Sequence, residues 1–314
     1  MEQRIPLIVI AGPTASGKTA CAVALANMIG GEIVSADSMQ VYAGMALLSA
    51  QPTMEERGGI PHHLMGVQDP SQRFTASMYR ACAKEIVRDI ASRGRRAIVC
   101  GGTGLYIDAL TKPMGFSVEA DPKLHGELMA LADEPGGAQR LHDMLAQVDP
   151  AMAQKLHVND VRRVVRAIEI YRLSGVTQSE HMRRDAELKG DYDEKLYVLT
   201  WPKEALYRRI DRRVDDMVRA GLIDEVRALY ARERAFPTAV QAIGYKEIVA
   251  ALEGRCTMDE AILAVKQATR NLAKRQMTWF RRDDRAIMIE AEGKSAEQIA
   301  ERIAEGEGEE KGCF

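Results

Sequence analysis

Apolar residues gather in short runs near the start of the chain and at helical spacing further on. Leu7-Ile8-Val9-Ile10-Ala11 is a continuous apolar run of strand length, the pattern of a strand buried on both faces of a parallel sheet. The stretch from Gly12 to Thr19 follows, and Ala20 to Ile29 then has helical spacing that Gly30-Gly31 ends. Ile33-Val34 opens a second strand that ends at Asp37. Helical spacing from Thr75 to Arg93 stops at Gly94, Ala97-Ile98-Val99-Cys100 is a third strand, and Gly101-Gly102-Thr103-Gly104 follows it. Strand, glycine loop and helix in repetition predict a parallel α/β sheet.

The pattern changes near residue 115. From Asp121 to about Gly190 the spacing is helical, broken at Pro135-Gly136-Gly137 and at Asp149-Pro150. Lys195 to Thr200 returns to strand character. Long helices are then predicted over about 203–220, 222–233, 241–253 and 258–282, the last opened by a capping box of Thr257 and Glu260. Ala286 to Ile289 is one more short strand, and Gly306 to Phe314 is expected to fray. The expected fold class is α/β, a P-loop parallel sheet flanked by helices with an all-helical insertion domain. The core is expected over 1–118 and 191–290, the insertion over 119–190, and a partly disordered tail over 291–314.

Composition narrows the class. Hydrophobic residues make up 46% and charged residues 28% of the 314, an ordinary globular balance. No uncharged apolar window reaches 18 residues, so no membrane span is expected. The first apolar run leads into a glycine loop rather than a small-residue cleavage site, which argues against a signal peptide and for a cytoplasmic protein. Cys21, Cys82, Cys100, Cys256 and Cys313 are odd in number and lack metal-ligand spacing, which fits a reducing compartment. His62 and His63 are adjacent and splay apart on most backbones, so no metal site is expected there. The net charge of −2 neither suggests nor excludes a nucleic-acid partner.

Gly12-Pro13-Thr14-Ala15-Ser16-Gly17-Lys18-Thr19 satisfies G-x-x-x-x-G-K-[ST] between a strand and a helix. Glycines let backbone N–H groups turn onto phosphate oxygens, and the helix N-terminus adds positive potential. Lys18 supplies a point charge and the Thr19 hydroxyl a ligand for Mg²⁺. The pattern is one used for nucleotides such as ATP, but by itself it establishes phosphate rather than nucleotide. A kinase or hydrolase usually adds an acid at a later strand end. The third strand here ends without one, and the nearest strand-end acid is Asp37. At the carboxyl edge of the sheet Asp37 is placed to face an acceptor. Its plain alternative is a turn or N-cap aspartate.

Further along, Arg209 and Arg213 lie one turn apart beside an apolar stripe of Leu206, Ile210 and Val214. On helix 257–282, at about 100° per residue, Lys266, Arg270, Lys274 and Arg281 share an arc of roughly 80°. Val265, Ala268, Leu272 and Trp279 fall opposite, so Trp279 is expected to pack. The cationic face suits a phosphate backbone, and equally a plain solvated face.

The chain resembles the isopentenyl-tRNA transferase family, whose members are tRNA dimethylallyltransferases. The resemblance is carried, in order, by GPTASGKT (12–19), SADSMQVYAGM (35–45), PHHL (61–64), DP (69–70), GGTGLY (101–106), ND with RRVVRAIEIY (159–171), RIDRRVDDM (209–217), GL-x-x-EV (221–226), QAIGYKE (241–247) and TRNLAKRQMTWFR (269–281). It implies transfer of a dimethylallyl group from dimethylallyl diphosphate to the exocyclic amine of the adenosine 3′ to the anticodon. It assigns the diphosphate to residues Gly12 to Thr19 with Arg213, and catalysis to Asp37 as base, Thr19 and Arg213. It places contacts with a tRNA anticodon arm at Asp37, Ser38, Met39, Gln40, Thr103, His125, Arg162, Arg163, Arg166, Ala167, Lys274 and Arg275. The only cofactor implied is Mg²⁺, and the family leans towards monomers.

Three departures stand out. Arg162 replaces a usual glutamine and His125 a usual arginine. Leu48-Ser49-Ala50-Gln51-Pro52 replaces a GTAKP run, losing a glycine and a lysine. Two other classes compete: a P-loop kinase or adenylate prenyltransferase for small molecules, and an NTP-dependent RNA-binding switch. The arginine motif and the long insertion favour a macromolecular acceptor, and the missing strand-end acid argues against kinases and switches.

Overall fold

The computed structural model describes residues 4–113, 118, 121–188, 190–232 and 236–308. It divides into two compact units, residues 1–111 with 191–314, and residues 112–190.

The first unit is built on a parallel six-stranded sheet. Its strands are β1 (Ile5–Ala11), β2 (Gly31–Ser35), β3 (His62–His63), β4 (Arg96–Gly101), β5 (Tyr192–Thr200) and β6 (Ala286–Glu290), in spatial order β3-β2-β4-β1-β5-β6. Alternation along β1 explains why its whole run is apolar. Leu7, Val9 and Ala11 enter one core while Ile8 and Ile10 enter the other. The chain leaves β1 towards β2 on one side, and after β4 it crosses to β5 on the other. The carboxyl ends of β1 and β4 therefore flank a topological switch point, where open α/β sheets bind ligands.

Helix α1 (Lys18–Ile29) covers one face, with Cys21, Ala22, Leu25 and Ala26 buried, and stops at Gly30 in the left-handed region. Helix α2 (Ala76–Ser92), N-capped by Thr75, buries Tyr79, Ala83, Val87 and Ile90 against the other. The remaining helices of this unit are α3 (Gly104–Thr111), α9 (Lys203–Arg219), α10 (Leu222–Tyr230), α11 (Tyr245–Leu252), α12 (Met258–Phe280) and α13 (Ala296–Gly308). The capping box of Thr257 and Glu260 opens α12 as expected.

Three elements correct the sequence reading. Residues 291–308 are not a tail, because α13 packs beside α1 with Ile299, Ala300 and Ile303 in the core. α1 and α13 thus share one core on that face of the sheet. Residues 309–314, including Cys313, lie outside the described residues. The two-residue β3 pairs with β2 and was not apparent as a strand. The span 241–253 is a short 3-10 turn, Ala239–Gln241, followed by α11.

The second unit holds α4 (Pro122–Asp133), α5 (Gly137–Val148), α6 (Pro150–Lys155), α7 (Val161–Ser174) and α8 (Gln178–Ala186). Its own core gathers Leu128, Leu141, Leu145, Val164, Val165 and Ile168. None of the described helices is long and apolar enough to cross a membrane.

Candidate active site

The register of the sheet builds the site. Ala11 of β1 pairs with Gly101 of β4, so the loops leaving the two strands start side by side. Ser35 of β2 pairs with Cys100, the Ala36 N–H donates to Cys100 O, and the Thr103 N–H donates to Ala36 O. This brings Asp37 to the edge already occupied by the glycine-rich loop.

That loop is held on its carbonyl side. Lys18 Nζ donates to Pro13 O at 2.7 Å, Arg209 Nε to Ala15 O at 2.8 Å and Trp201 Nε1 to Ser16 O at 3.0 Å. Arg209 also lies 4.3 Å over the Trp201 ring. Carbonyls satisfied in this way do not repel an incoming anion. Gly17, at φ +93°, N-caps α1, and Ala15 accepts a left-handed φ of +62°. A non-glycine residue there costs conformational energy, and Arg209 on Ala15 O and Trp201 on Ser16 O hold the strained turn in place. Ser16 Oγ is buried and has no hydrogen-bond partner in the protein.

A cavity of about 350 Å³ opens between these loops. Thr14, Ala15, Lys18 and Thr19 line one side, Asp37, Ser38, Met39 and Gln40 another, and Arg213 of α9 a third. Leu48, Val214, Met217, Ile243, Val265 and Leu272 supply an apolar stretch of wall. Burial at the floor lowers the Lys18 pKa from 10.5 to about 8, against the opposing effects of Cys100 and Asp37. Burial likewise lowers that of Arg213 and raises the Cys100 thiol to about 11. Asp37 raises the Arg213 value in turn, so the carboxylate lies within electrostatic reach of both cations.

Asp37 Oδ1 accepts the N–H groups of Met39 at 2.9 Å and Gln40 at 3.3 Å. It is thus a turn aspartate and a cavity carboxylate together. Ser38 N–H donates to Thr103 Oγ1 at 3.0 Å, tying this turn to the loop after β4. Gln40 is less free than a base-reading amide: its Oε1 accepts from Ser35 Oγ and its Nε2 donates to Ala50 O. Ala50 O also accepts from Arg213 Nη2 at 3.0 Å, so the loop that lacks the usual glycine and lysine still positions Arg213. Glu225 anchors the same loop through the N–H groups of Leu47 and Leu48.

Gly101 allows β4 and the Asp37 segment to meet. A Cβ there would lie 2.1 Å from Ala36 O, which is backbone and cannot swing away. Gly101→Ala should displace Asp37 and lower turnover about 10²-fold, the scale of a 1 Å misplacement of a reacting group. Steady-state kinetics on folded protein, verified by circular dichroism, measures this; unchanged turnover would mean that the segment tolerates the shift.

The predicted residues divide between the units. Gly12 to Thr19, Asp37 to Gln40, Thr103, Arg213 and Arg275 come together around or beside the cavity. Lys274 is exposed on α12. His125, Arg162, Arg163, Arg166 and Ala167 belong to the second unit. There, His125 Nδ1 lies 2.6 Å from Glu169 Oε1 and Arg166 Nη1 donates to Glu169 Oε2 at 3.2 Å, both serving a carboxylate that is 1% exposed. Ala167 is 1% exposed and its side chain belongs to that unit's core. Arg162 and Arg163 are exposed.

The expected cationic face of α12 is also corrected. Lys266 pairs with Asp215 at 2.6 Å and Arg270 with Asp211, so two of the four cations are spent on α9. Trp279 packs one side of its ring on Gly104 but is 44% exposed instead of core, and its Nε1 donates to Asp108 Oδ2 at 3.2 Å. Gln276 carries no role in the sequence reading, yet it lines the cavity and bonds to two of its loops. Its signal was a polar residue on the inward stripe of α12, in line with Val265, Thr269, Leu272 and Phe280.

A model of the IPP transferase family matches residues 40–283. The tRNA dimethylallyltransferase of Carboxydothermus hydrogenoformans is 44% identical over 298 residues, covering 95% of this chain and 96% of that protein. That of Geobacter metallireducens is 45% identical over 296 residues, covering 93% and 95%. Among solved structures, the full-length tRNA isopentenylpyrophosphate transferase of Bacillus halodurans is similar at 40% identity and a TM-score of 0.72, over 98% of this chain and 97% of that one. A eukaryotic dimethylallyltransferase acting on tRNA is similar at 30% identity and a TM-score of 0.78, over 91% and 74%. Ordered motifs, sheet, loop geometry and relatives over nearly the whole length agree, and the chain belongs to the IPP transferase family.

Proposed function

We propose that the protein transfers a dimethylallyl group from dimethylallyl diphosphate to the exocyclic amine of the adenosine 3′ to the anticodon of tRNA, releasing diphosphate. The observation that carries this reading is one cavity lined by the phosphate loop, Arg213 and Asp37.

In this reading the loop amides, Lys18 and Arg213 bind the diphosphate end of the donor. As the allylic C–O bond breaks, negative charge grows on the departing oxygens and these fixed donors stabilise it. The apolar wall of Val214, Met217, Val265 and Leu272 takes the five-carbon chain and keeps water from the allylic carbon. The adenine amine forms the new N–C bond. Its lone pair is delocalised into the ring, so it gains from Asp37 accepting its proton. The electron pair of the broken bond leaves with the diphosphate.

Mg²⁺ fits the donor set. Thr19 lines the cavity next to Lys18, and the described residues contain no group of three or more His, Cys, Asp or Glu that could hold a metal. A single hydroxyl suits an ion that keeps several waters and takes its remaining ligands from phosphate. When bound, Mg²⁺ would neutralise charge on the diphosphate.

Incubating the protein with tRNA, Mg²⁺ and either dimethylallyl diphosphate or ATP, then digesting the RNA, tests the reading by mass. Prenylated adenosine is expected with the first donor alone. No mass shift with any cognate tRNA, alongside turnover of ATP, would overturn it.

A further inference from the structure

We infer that Gln276 is a positioning residue that couples the donor half of the cavity to the acceptor half, an inference that rests on the proposed transfer reaction. Its side-chain amide makes two hydrogen bonds, one to each loop. Oε1 accepts the Thr14 N–H of the phosphate loop at 2.8 Å, and Nε2 donates to Gly102 O of the loop after β4 at 3.0 Å. The second loop continues into Thr103, whose Oγ1 receives the Ser38 N–H, and Ser38 follows Asp37. A continuous path thus runs from the loop that grips diphosphate, through one planar amide, to the turn that aims the carboxylate.

The fit is tight on both sides. A Cβ on Gly102 would lie 2.2 Å from Gln276 Nε2 and 3.2 Å from its Cδ. The glycine is therefore required by this amide, and the clash falls on the far end of a flexible side chain, not on backbone. Gln276 also sits on α12 directly after Arg275, another residue of the cavity wall. An RNA that contacts this turn of α12 lies beside the amide that holds both loops. A substrate that shifts either loop therefore acts on the other through this amide, which is coupling without a large movement.

The test is a pair of titrations on the full-length protein with Mg²⁺. The probes are inorganic diphosphate and a fluorescein-labelled anticodon stem-loop that carries adenosine 3′ to the anticodon. In the wild type, saturating diphosphate is expected to tighten stem-loop binding by a factor of about 5 to 30, and the stem-loop to tighten diphosphate by the same factor. Gln276→Met keeps the length and loses both bonds. It should bring that factor to within twofold of one, with each ligand alone bound within about threefold of wild type. Gly102→Ala evicts the amide while leaving the glutamine in place, and should act in the same way. The double variant should be no worse than either single, because all three remove one interaction.

A merely structural role would lower thermal stability and weaken both ligands while preserving the factor, and that result overturns the inference. So does a factor of one in the wild type, or additive losses in the double variant. A wild type that transfers no dimethylallyl group removes the functional reading itself, and the transfer assay detects that separately.

Discussion

Asparagine at position 37 should lower the turnover number for prenyl transfer by about 10²- to 10⁴-fold, the usual contribution of a positioned general base. The choice of asparagine follows from the double role of this carboxylate. Oδ1 accepts the N–H groups of Met39 and Gln40, and an amide oxygen can do the same. Alanine would lose the turn together with the base. It would then also disturb Ser38 and its bond to Thr103. Asparagine removes the proton acceptor and leaves the backbone in place. Donor affinity gives a second, independent readout. The negative charge of Asp37 acts on Lys18 and Arg213, the two cations that face the diphosphate. Neutralising it removes a repulsive partner for the donor, so the Kd for donor should stay the same or tighten. A single-turnover measurement with saturating donor and tRNA separates chemistry from binding. Turnover within about fivefold of wild type would take the base assignment away from Asp37.

Much of this site is legible in the sequence, for a physical reason. A strand buried on both faces carries an apolar run, Leu7 to Ala11 in β1 and Ile33-Val34 in β2, and the chain just after it lies at the edge of the sheet. Both the phosphate loop and Asp37 are located by that rule, after β1 and β2 respectively. Helix ends were equally legible where a side chain makes the cap, as at Thr75 and Thr257. What escaped depends on partners distant in the chain. Lys266 and Arg270 read as a free cationic face because Asp215 and Asp211, which neutralise them, lie on another helix. Trp279 falls on the far side of the wheel from those cations, yet that side is not uniformly core: its ring rests against Gly104 and reaches Asp108. The C-terminal helix was hidden by acidic, glycine-containing sequence, although Ile299, Ala300 and Ile303 have the spacing of one buried stripe. β3 has too few residues to show a period, and its histidines are fixed by Ile60 O and by Glu32.

The same burial that makes the floor of the cavity selective for anions should make Lys18 costly to the fold. Its pKa lies at about 8 in the folded protein against 10.5 for an ordinary lysine, chiefly because burial disfavours the charged form. Between those two values the folded chain holds fewer protons than the unfolded chain, so stability rises as pH rises from about 8 to 10.5. Below about 8 both states carry the proton and the full penalty is present. Lys18→Met should therefore raise thermal stability at neutral pH, by the order of 1 to 3 kcal/mol at about 1.4 kcal/mol per pKa unit. The same change should lower kcat/KM for the donor by about 10²- to 10³-fold, the loss expected for one preorganised charge-stabilising donor. Catalysis supplies a matching pH signature. kcat/KM reports the free enzyme, so in the wild type it should fall as pH rises through about 8, where Lys18 loses its charge. Bound diphosphate adds negative charge beside the ammonium and raises its pKa, so kcat at saturating donor should hold to higher pH. In Lys18→Met the alkaline fall in kcat/KM near pH 8 should vanish. Differential scanning calorimetry and a pH series on both proteins decide the matter. A variant no more stable than wild type, or one that keeps the alkaline fall, would mean that Lys18 is not the strained cation that binds the leaving group.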